Sequence, residues 1–88
     1  MHTYNDLVAQ RVAQDAAAYV KTNRQLAEDF LTATQGDPRA AVGIAKHYVK
    51  ALHPGFIPRR NIGSPAERVY SNLQAAVARC AKTWTPVV

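Results

Sequence analysis

Apolar side chains recur along this chain at spacings of three and four residues, and no stretch alternates apolar and polar residues in steps of two. The first spacing places side chains on one face of an α-helix, whereas a two-residue alternation would indicate a β-strand. The sequence therefore predicts an all-α fold. Helices are expected near 4–34, 39–52 and 65–83, and they would pack as a small three- or four-helix bundle that forms a single domain over 1–88.

Residues that begin and end helices separate these segments. Gly36 suits a left-handed helix end, Asp37 suits an N-cap and Pro38 suits a first helical position, which predicts a sharp turn between two helices. Ser64 precedes a proline and stands three residues before Glu67. That pattern is typical of a capped helix start, so the last helix is expected to begin there.

The segment 4–34 has two interpretations. Its apolar residues, Tyr19 and Val20 included, keep to one arc of a single helix, which favours one continuous helix about 45 Å long. Thr22 with Gln25, however, has the pattern of a new capping box. We therefore favour a kink or short break at 21–24. A continuous helix would outrun a small bundle, leave apolar surface uncovered and predict a homodimer.

The other two segments have well-defined apolar faces. Alanine on these faces allows neighbouring helices to approach closely. The residues expected in the core are Ala41, Val42, Ile44, Ala45, Tyr48, Val49 and Leu52 on the first of them, and Val69, Tyr70, Leu73, Ala76, Val77 and Cys80 on the second, with Trp84 just beyond.

The formal net charge of +5 is distributed unevenly along the chain. Residues 1–36 carry three cationic side chains against four acidic ones, whereas residues 37–88 carry eight against two. The net charges of the two parts are thus −1 and +6. This asymmetry indicates an anionic partner, either a nucleic acid or an acidic protein surface.

The basic side chains of the C-terminal part fall into two helical stripes and one loop. Those on 39–52 follow spacings of 7, 4 and 3 residues, and those on 65–83 follow spacings of 11 and 3. Each set lies within an arc of about 60° on an ideal helix. No acidic residue interrupts the first stripe, which favours a binding surface over merely solvated helix faces. The expected binding residues are Arg39, Lys46, Lys50, His53, Arg59, Arg60, Arg68, Arg79 and Lys82.

The stretch from His53 to Glu67, which joins these two helices, contains three of the five prolines and two of the four glycines. Proline restricts the backbone, so a shaped loop is expected, with Phe56 and Ile57 holding it on the bundle and Arg59 and Arg60 facing outward. Two alternatives stay open. The loop is a stiff connector whose arginines only add solubility, or Phe56 is an exposed anchor for a protein partner.

Catalytic and cofactor signatures are missing from the sequence. His47 and His53 are six residues apart and so do not share a helix face in the manner of helical metal ligands. The lone Cys80 falls on an expected core face, where an inert thiol is the usual finding. Phosphate-binding and dinucleotide-binding glycine motifs are absent. We expect neither an enzyme nor a bound metal or cofactor.

These observations predict a small non-catalytic basic protein that binds a nucleic acid or a ribonucleoprotein through its C-terminal half. The alternative is a protein-binding inhibitor or adaptor, such as a phage- or plasmid-type factor that blocks a host nucleic-acid or defence enzyme, for example a CRISPR effector. No apolar run approaches the ~20 residues of a membrane span, and no signal peptide precedes the first helix, so a cytoplasmic protein without a membrane partner is expected.

Overall fold

The computed structural model describes residues 4–57 and 63–85. Within those ranges the chain is helical, with no strand, and the prediction of an all-α fold arranged as a small helical bundle is confirmed. The helices, in chain order, are α1 (Tyr4–Ala17), α2 (Asn23–Ala33), α3 (Pro38–Leu52) and α4 (Pro65–Thr83).

The segment 4–34 is broken, as favoured from the sequence. The Thr22 hydroxyl accepts a hydrogen bond from the Gln25 backbone N–H at 3.2 Å, and Gln25 Oε1 accepts one from the Thr22 N–H at 3.0 Å. This reciprocal pair is the predicted capping box, and it begins α2. The prediction of a continuous helix over 4–34 is therefore wrong. The argument for a homodimer, which depended on that helix, no longer applies.

The break lies at 18–22 rather than at 21–24, because the backbone leaves the helix after Ala17 and α2 begins at Asn23. Tyr19 and Val20, which a continuous helix would place on the apolar arc, instead lie in the connection and are 67% and 104% exposed. Their placement in the apolar arc is thus wrong, since that arc exists only while the helical phase is maintained.

The remaining helix starts agree with the sequence. Asp37 Oδ1 accepts hydrogen bonds from the backbone N–H groups of Arg39 and Ala40, at 3.0 and 3.4 Å. Ser64 Oγ accepts one from the Glu67 N–H at 3.2 Å. The reciprocal half of this second cap is missing among the described residues, where the buried Oε2 of Glu67 has no hydrogen-bond partner.

The core lies where α3 meets the other three helices. α1 packs mainly on α3 through small side chains, whereas α2 packs on both α3 and α4. The rings of Phe30 and Tyr48 meet across α2 and α3 with centroids 6.0 Å apart, and burial raises the pKa of the Tyr48 hydroxyl. Leu52 was expected in the core but is exposed, because it ends α3. The largest fully buried side chains are Phe30, Leu26, Leu31, Leu73, Val49 and Val77.

Phe56 holds the start of the α3–α4 connection on the bundle. It is 4% exposed, and its ring packs edge-on against Tyr70 with centroids 5.7 Å apart. The expectation that Phe56 fixes the loop is therefore correct, and the alternative of an exposed anchor is wrong. Ile57 was expected to pack beside it but is 48% exposed.

Trp84 joins the end of α4 to the turn between α2 and α3. Gly36 has a φ of +85°, and a Cβ built on it would lie 2.7 Å from both Cε3 and Cζ3 of the Trp84 indole. Only glycine satisfies both the backbone conformation and this close approach. Because Gly36 follows α2 and Trp84 follows α4, the two helices end at the same end of the bundle.

We predict that Gly36→Ala lowers the free energy of unfolding by about 2–4 kcal/mol, because it combines left-handed strain with overpacking against the indole. Gly55→Ala is the matched control, since Gly55 has a φ of +93° but no atom within 4 Å of an added Cβ. It should lower the same free energy by only about 1–2 kcal/mol. Urea denaturation measures both, and equal losses would show that the Trp84 contact contributes nothing.

Candidate functional site

The basic stripe on α3 is presented on a regular helix. Arg39 and Lys50 are exposed and Lys46 is partly buried. Because α3 is helical throughout Pro38–Leu52, these three side chains project from the side of the helix opposite its buried face. His53 is different. It is the C-cap residue with φ −130° and ψ 81°, so the ideal-helix arc no longer determines its direction.

Gly43 lies on the same side of α3 as the three cations. A Cβ added to it would meet no atom within 4 Å, so no described part of the protein packs over this position. Glycine in a helix interior is unfavourable by up to about 1 kcal/mol relative to alanine. Its presence therefore has no packing explanation within the described residues, and it leaves bare backbone beside the basic stripe.

The basic residues of α4 do not form one compact patch. Arg68 lies in the first turn, and Arg79 lies eleven residues later, about 16 Å along the helix axis. Both are exposed, as is Lys82. Arg79 additionally lines a groove between α4 and α2, and no other described member of the predicted binding set does so. The structure thus brings Arg79 together with α2 rather than with the α3 stripe.

The ion pairs within residues 4–57 and 63–85 all belong to the N-terminal part of the chain. Arg11 lies 3.4 Å from Asp15, Arg24 lies 3.2 Å from Glu28, and Lys21 pairs with Asp29. These pairs use every cationic side chain of residues 1–36 and three of its four acids. The positive charge of this part is therefore neutralised locally.

The C-terminal part lacks such compensation in the described ranges. Neither of its two acids forms an ion pair with a described cation. Asp37 caps α3, and one carboxylate oxygen of Glu67 is buried. Arg59 and Arg60, the centre of the predicted surface, lie outside the described residues and stay a prediction. The cations that form no ion pair with any described acid are Arg39, Lys46, Lys50, Arg68, Arg79 and Lys82.

A groove of about 630 Å³ runs between α2 and α4. Its α2 wall carries the Arg24–Glu28 ion pair and its α4 wall carries Arg79, and Trp84 also lines it. Cys80, expected in the core, is partly buried and opens onto this groove. The complete lining is Asn23, Arg24, Glu28, Thr32, Ala76, Arg79, Cys80, Thr83, Trp84 and Thr85.

Sequence reasoning missed the groove because two helices that are far apart in the chain form it. The periodicity of α4 indicates which of its residues face inward, but not which neighbour they face or how closely that neighbour approaches. The one available signal was the pair Cys80 and Trp84. Both lie at the end of the apolar face of the last helix, where neighbouring helices cover side chains less completely.

No group of three or more histidine, cysteine, aspartate or glutamate side chains in the described part of the chain is arranged to hold a metal ion. None of its helices combines the length and the hydropathy needed to cross a membrane.

Comparisons with protein-family models, with curated proteins and with solved structures gave no match. The charge distribution and the α2–α4 groove are therefore the observations on which a function can be argued.

We predict that Gly43→Ala raises the free energy of unfolding by about 0.5–1 kcal/mol, because alanine favours the helix and meets no neighbour at this position. Urea denaturation of the variant and of the unmodified protein measures the change in the free energy of unfolding. A decrease would show that Gly43 is needed for packing, and would remove the argument that its backbone is left open on the basic stripe.

Proposed function

We propose that this protein is a non-catalytic nucleic-acid-binding protein that holds phosphates with the basic side chains of its C-terminal half. The observation that supports the proposal most strongly is the segregation of ion pairs. The cations of residues 1–36 are paired with acids, whereas the six described cations beyond them form no ion pair with a described acid. Unpaired positive charge on an exposed surface attracts an anionic partner.

The α3 stripe is the best-formed part of this surface. Arg39, Lys46 and Lys50 extend over about 16 Å of helix axis, a length over which one strand of a duplex carries about five phosphates. The bare backbone at Gly43 allows a phosphate to approach between the long side chains. Contacts between these cations and phosphates position the nucleic-acid backbone but carry no sequence information, so binding through such contacts is independent of sequence.

Binding of this kind depends steeply on salt, because each neutralised phosphate releases condensed counterions. Engagement of the three α3 cations alone gives a slope of log K against log salt near −3, and engagement of all six described cations gives a slope near −5. We predict that affinity falls roughly 60-fold to 1,000-fold between about 50 and 200 mM salt. Fluorescence anisotropy with labelled DNA and RNA measures this, and affinity insensitive to salt would contradict the proposal.

A pair of double variants with equal net charge tests where the binding surface lies. Lys46→Gln/Lys50→Gln removes two unpaired cations from the α3 stripe, whereas Arg11→Gln/Lys21→Gln removes two cations that are paired with Asp15 and Asp29. We predict that the first variant loses more than about tenfold in affinity and that its salt slope becomes shallower by about two. The second should lose less than about threefold.

Equal losses in the two variants would show that only the overall charge matters and would contradict an α3 surface. Unfolding free energies should stay within about 0.5 kcal/mol of the unmodified protein in both cases, because the substituted side chains lie outside the core.

The inhibitor or adaptor predicted as the alternative gives a different result in an affinity purification run with and without nuclease. A nucleic-acid complex is lost after nuclease treatment or in high salt. A protein partner that survives both treatments would contradict the proposal and indicate a surface that relies on buried hot-spot contacts.

A further inference from the structure

The α2–α4 groove combines an aromatic ring with an unpaired cation. Trp84 is partly buried, its benzo ring packs on the backbone of Gly36, and the same side chain lines the groove. The contact with Gly36 holds the ring in place, so a ligand that stacks on it does not have to immobilise it first. A fixed aromatic ring at the edge of a groove is a platform on which a planar group can stack.

The charge of the groove favours an anion beside that planar group. Arg79 is exposed and has no ion-pair partner among the described acids, whereas Arg24 and Glu28 largely neutralise each other across 3.2 Å. The lining therefore carries a formal net charge of +1. Hydroxyl and amide groups of Asn23, Thr32, Thr83 and Thr85 line the same groove and add hydrogen-bonding capacity.

The size of the groove limits the ligand to one small planar group with its attached anion. About 630 Å³ is in the middle of the range typical of small-molecule sites, and it is too small to enclose a duplex. A duplex also keeps its bases inside the stack, so only an unpaired base can reach a ring within a groove.

We propose that the α2–α4 groove holds one unpaired nucleotide of a single strand, with the base stacked on Trp84 and the phosphate beside Arg79. This inference rests on the proposed function and deepens it, because it names single-stranded nucleic acid as the preferred partner. The α3 stripe holds phosphates of either a single strand or a duplex. The groove accepts only a single strand.

Two natural reporters make the groove directly observable, because the chain contains one tryptophan and one cysteine and both line it. A stacked base changes Trp84 emission, and an occupied groove shields Cys80 from alkylation by iodoacetamide. With a thymidine oligonucleotide of about ten residues, we expect Trp84 emission to be quenched and Cys80 alkylation to slow by about threefold or more. A duplex without unpaired bases, whose strands are joined by a non-nucleotide linker, should change neither signal.

Two neighbouring substitutions on α4 supply the matched test. Arg79→Gln and Lys82→Gln each remove one exposed cation from the same end of the helix, but only Arg79 lines the groove. We expect Arg79→Gln to weaken binding of the oligonucleotide about tenfold, and Lys82→Gln to weaken it by no more than about threefold. Binding of the duplex should fall equally and modestly in the two variants.

The outcomes separate this inference from the proposed function. Salt-sensitive binding of the oligonucleotide with unchanged Trp84 emission and unchanged Cys80 alkylation would overturn the groove site and leave the proposed function intact. Equal losses in the two α4 variants would do the same. Protection of Cys80 by an acidic aromatic peptide but not by the oligonucleotide would overturn the nucleotide as the occupant. If neither DNA nor RNA binds at any salt concentration, both proposals fail together.

Discussion

The packing of Trp84 on Gly36 is the interaction on which the arrangement of α2, α3 and α4 depends. Gly36 lies in the turn that reverses the chain from α2 into α3, and Trp84 is the first residue after α4. Their contact therefore ties the end of the chain's last helix to the turn between two earlier ones. It draws the ends of α2 and α4 together, and the groove between those helices is the space left beside the contact.

The two parts of the chain differ in how their charges are paired, and folding alone does not require this difference. Two of the three described ion pairs join residues four apart on one helix, and such exposed pairs stabilise a helix by only about 0.3–0.5 kcal/mol each. Their larger effect is to cancel the charge of the N-terminal part. The cations of the C-terminal part that pair with no described acid repel one another, which destabilises a small domain slightly. The proposed binding role would give these cations a physical use.

The helices were predictable from sequence because local chemistry determines where they begin. Thr22, Asp37 and Ser64 each accept a hydrogen bond from an early backbone N–H, as their positions in the sequence indicated. Tyr19 and Val20 were misplaced because an apolar arc was extended through a break. Leu52 was misplaced because the last turn of a helix is covered only if a neighbour reaches it.

The candidate site was less predictable than the fold. A helical wheel gives the direction of a side chain relative to its own helix, so the α3 stripe followed from spacing alone. The presence of Arg79 and Arg24 in one groove did not, because it depends on how α2 packs on α4. Arg59 and Arg60 lie outside the described residues, and their part in a surface stays a prediction from sequence.

The two parts of the proposed surface contribute free energies of different physical origin. Contacts between the α3 stripe and phosphates gain from counterion release and weaken steeply as salt rises. Stacking of a base on Trp84 releases no counterions and stays favourable in salt, at about 1–3 kcal/mol per base. Stacking therefore raises the affinity for a single strand by the same factor at every salt concentration, and it leaves the slope of log K against log salt unchanged. Under the two proposals, the contribution of stacking to the preference for single strands therefore persists at high ionic strength, where the phosphate contacts contribute least.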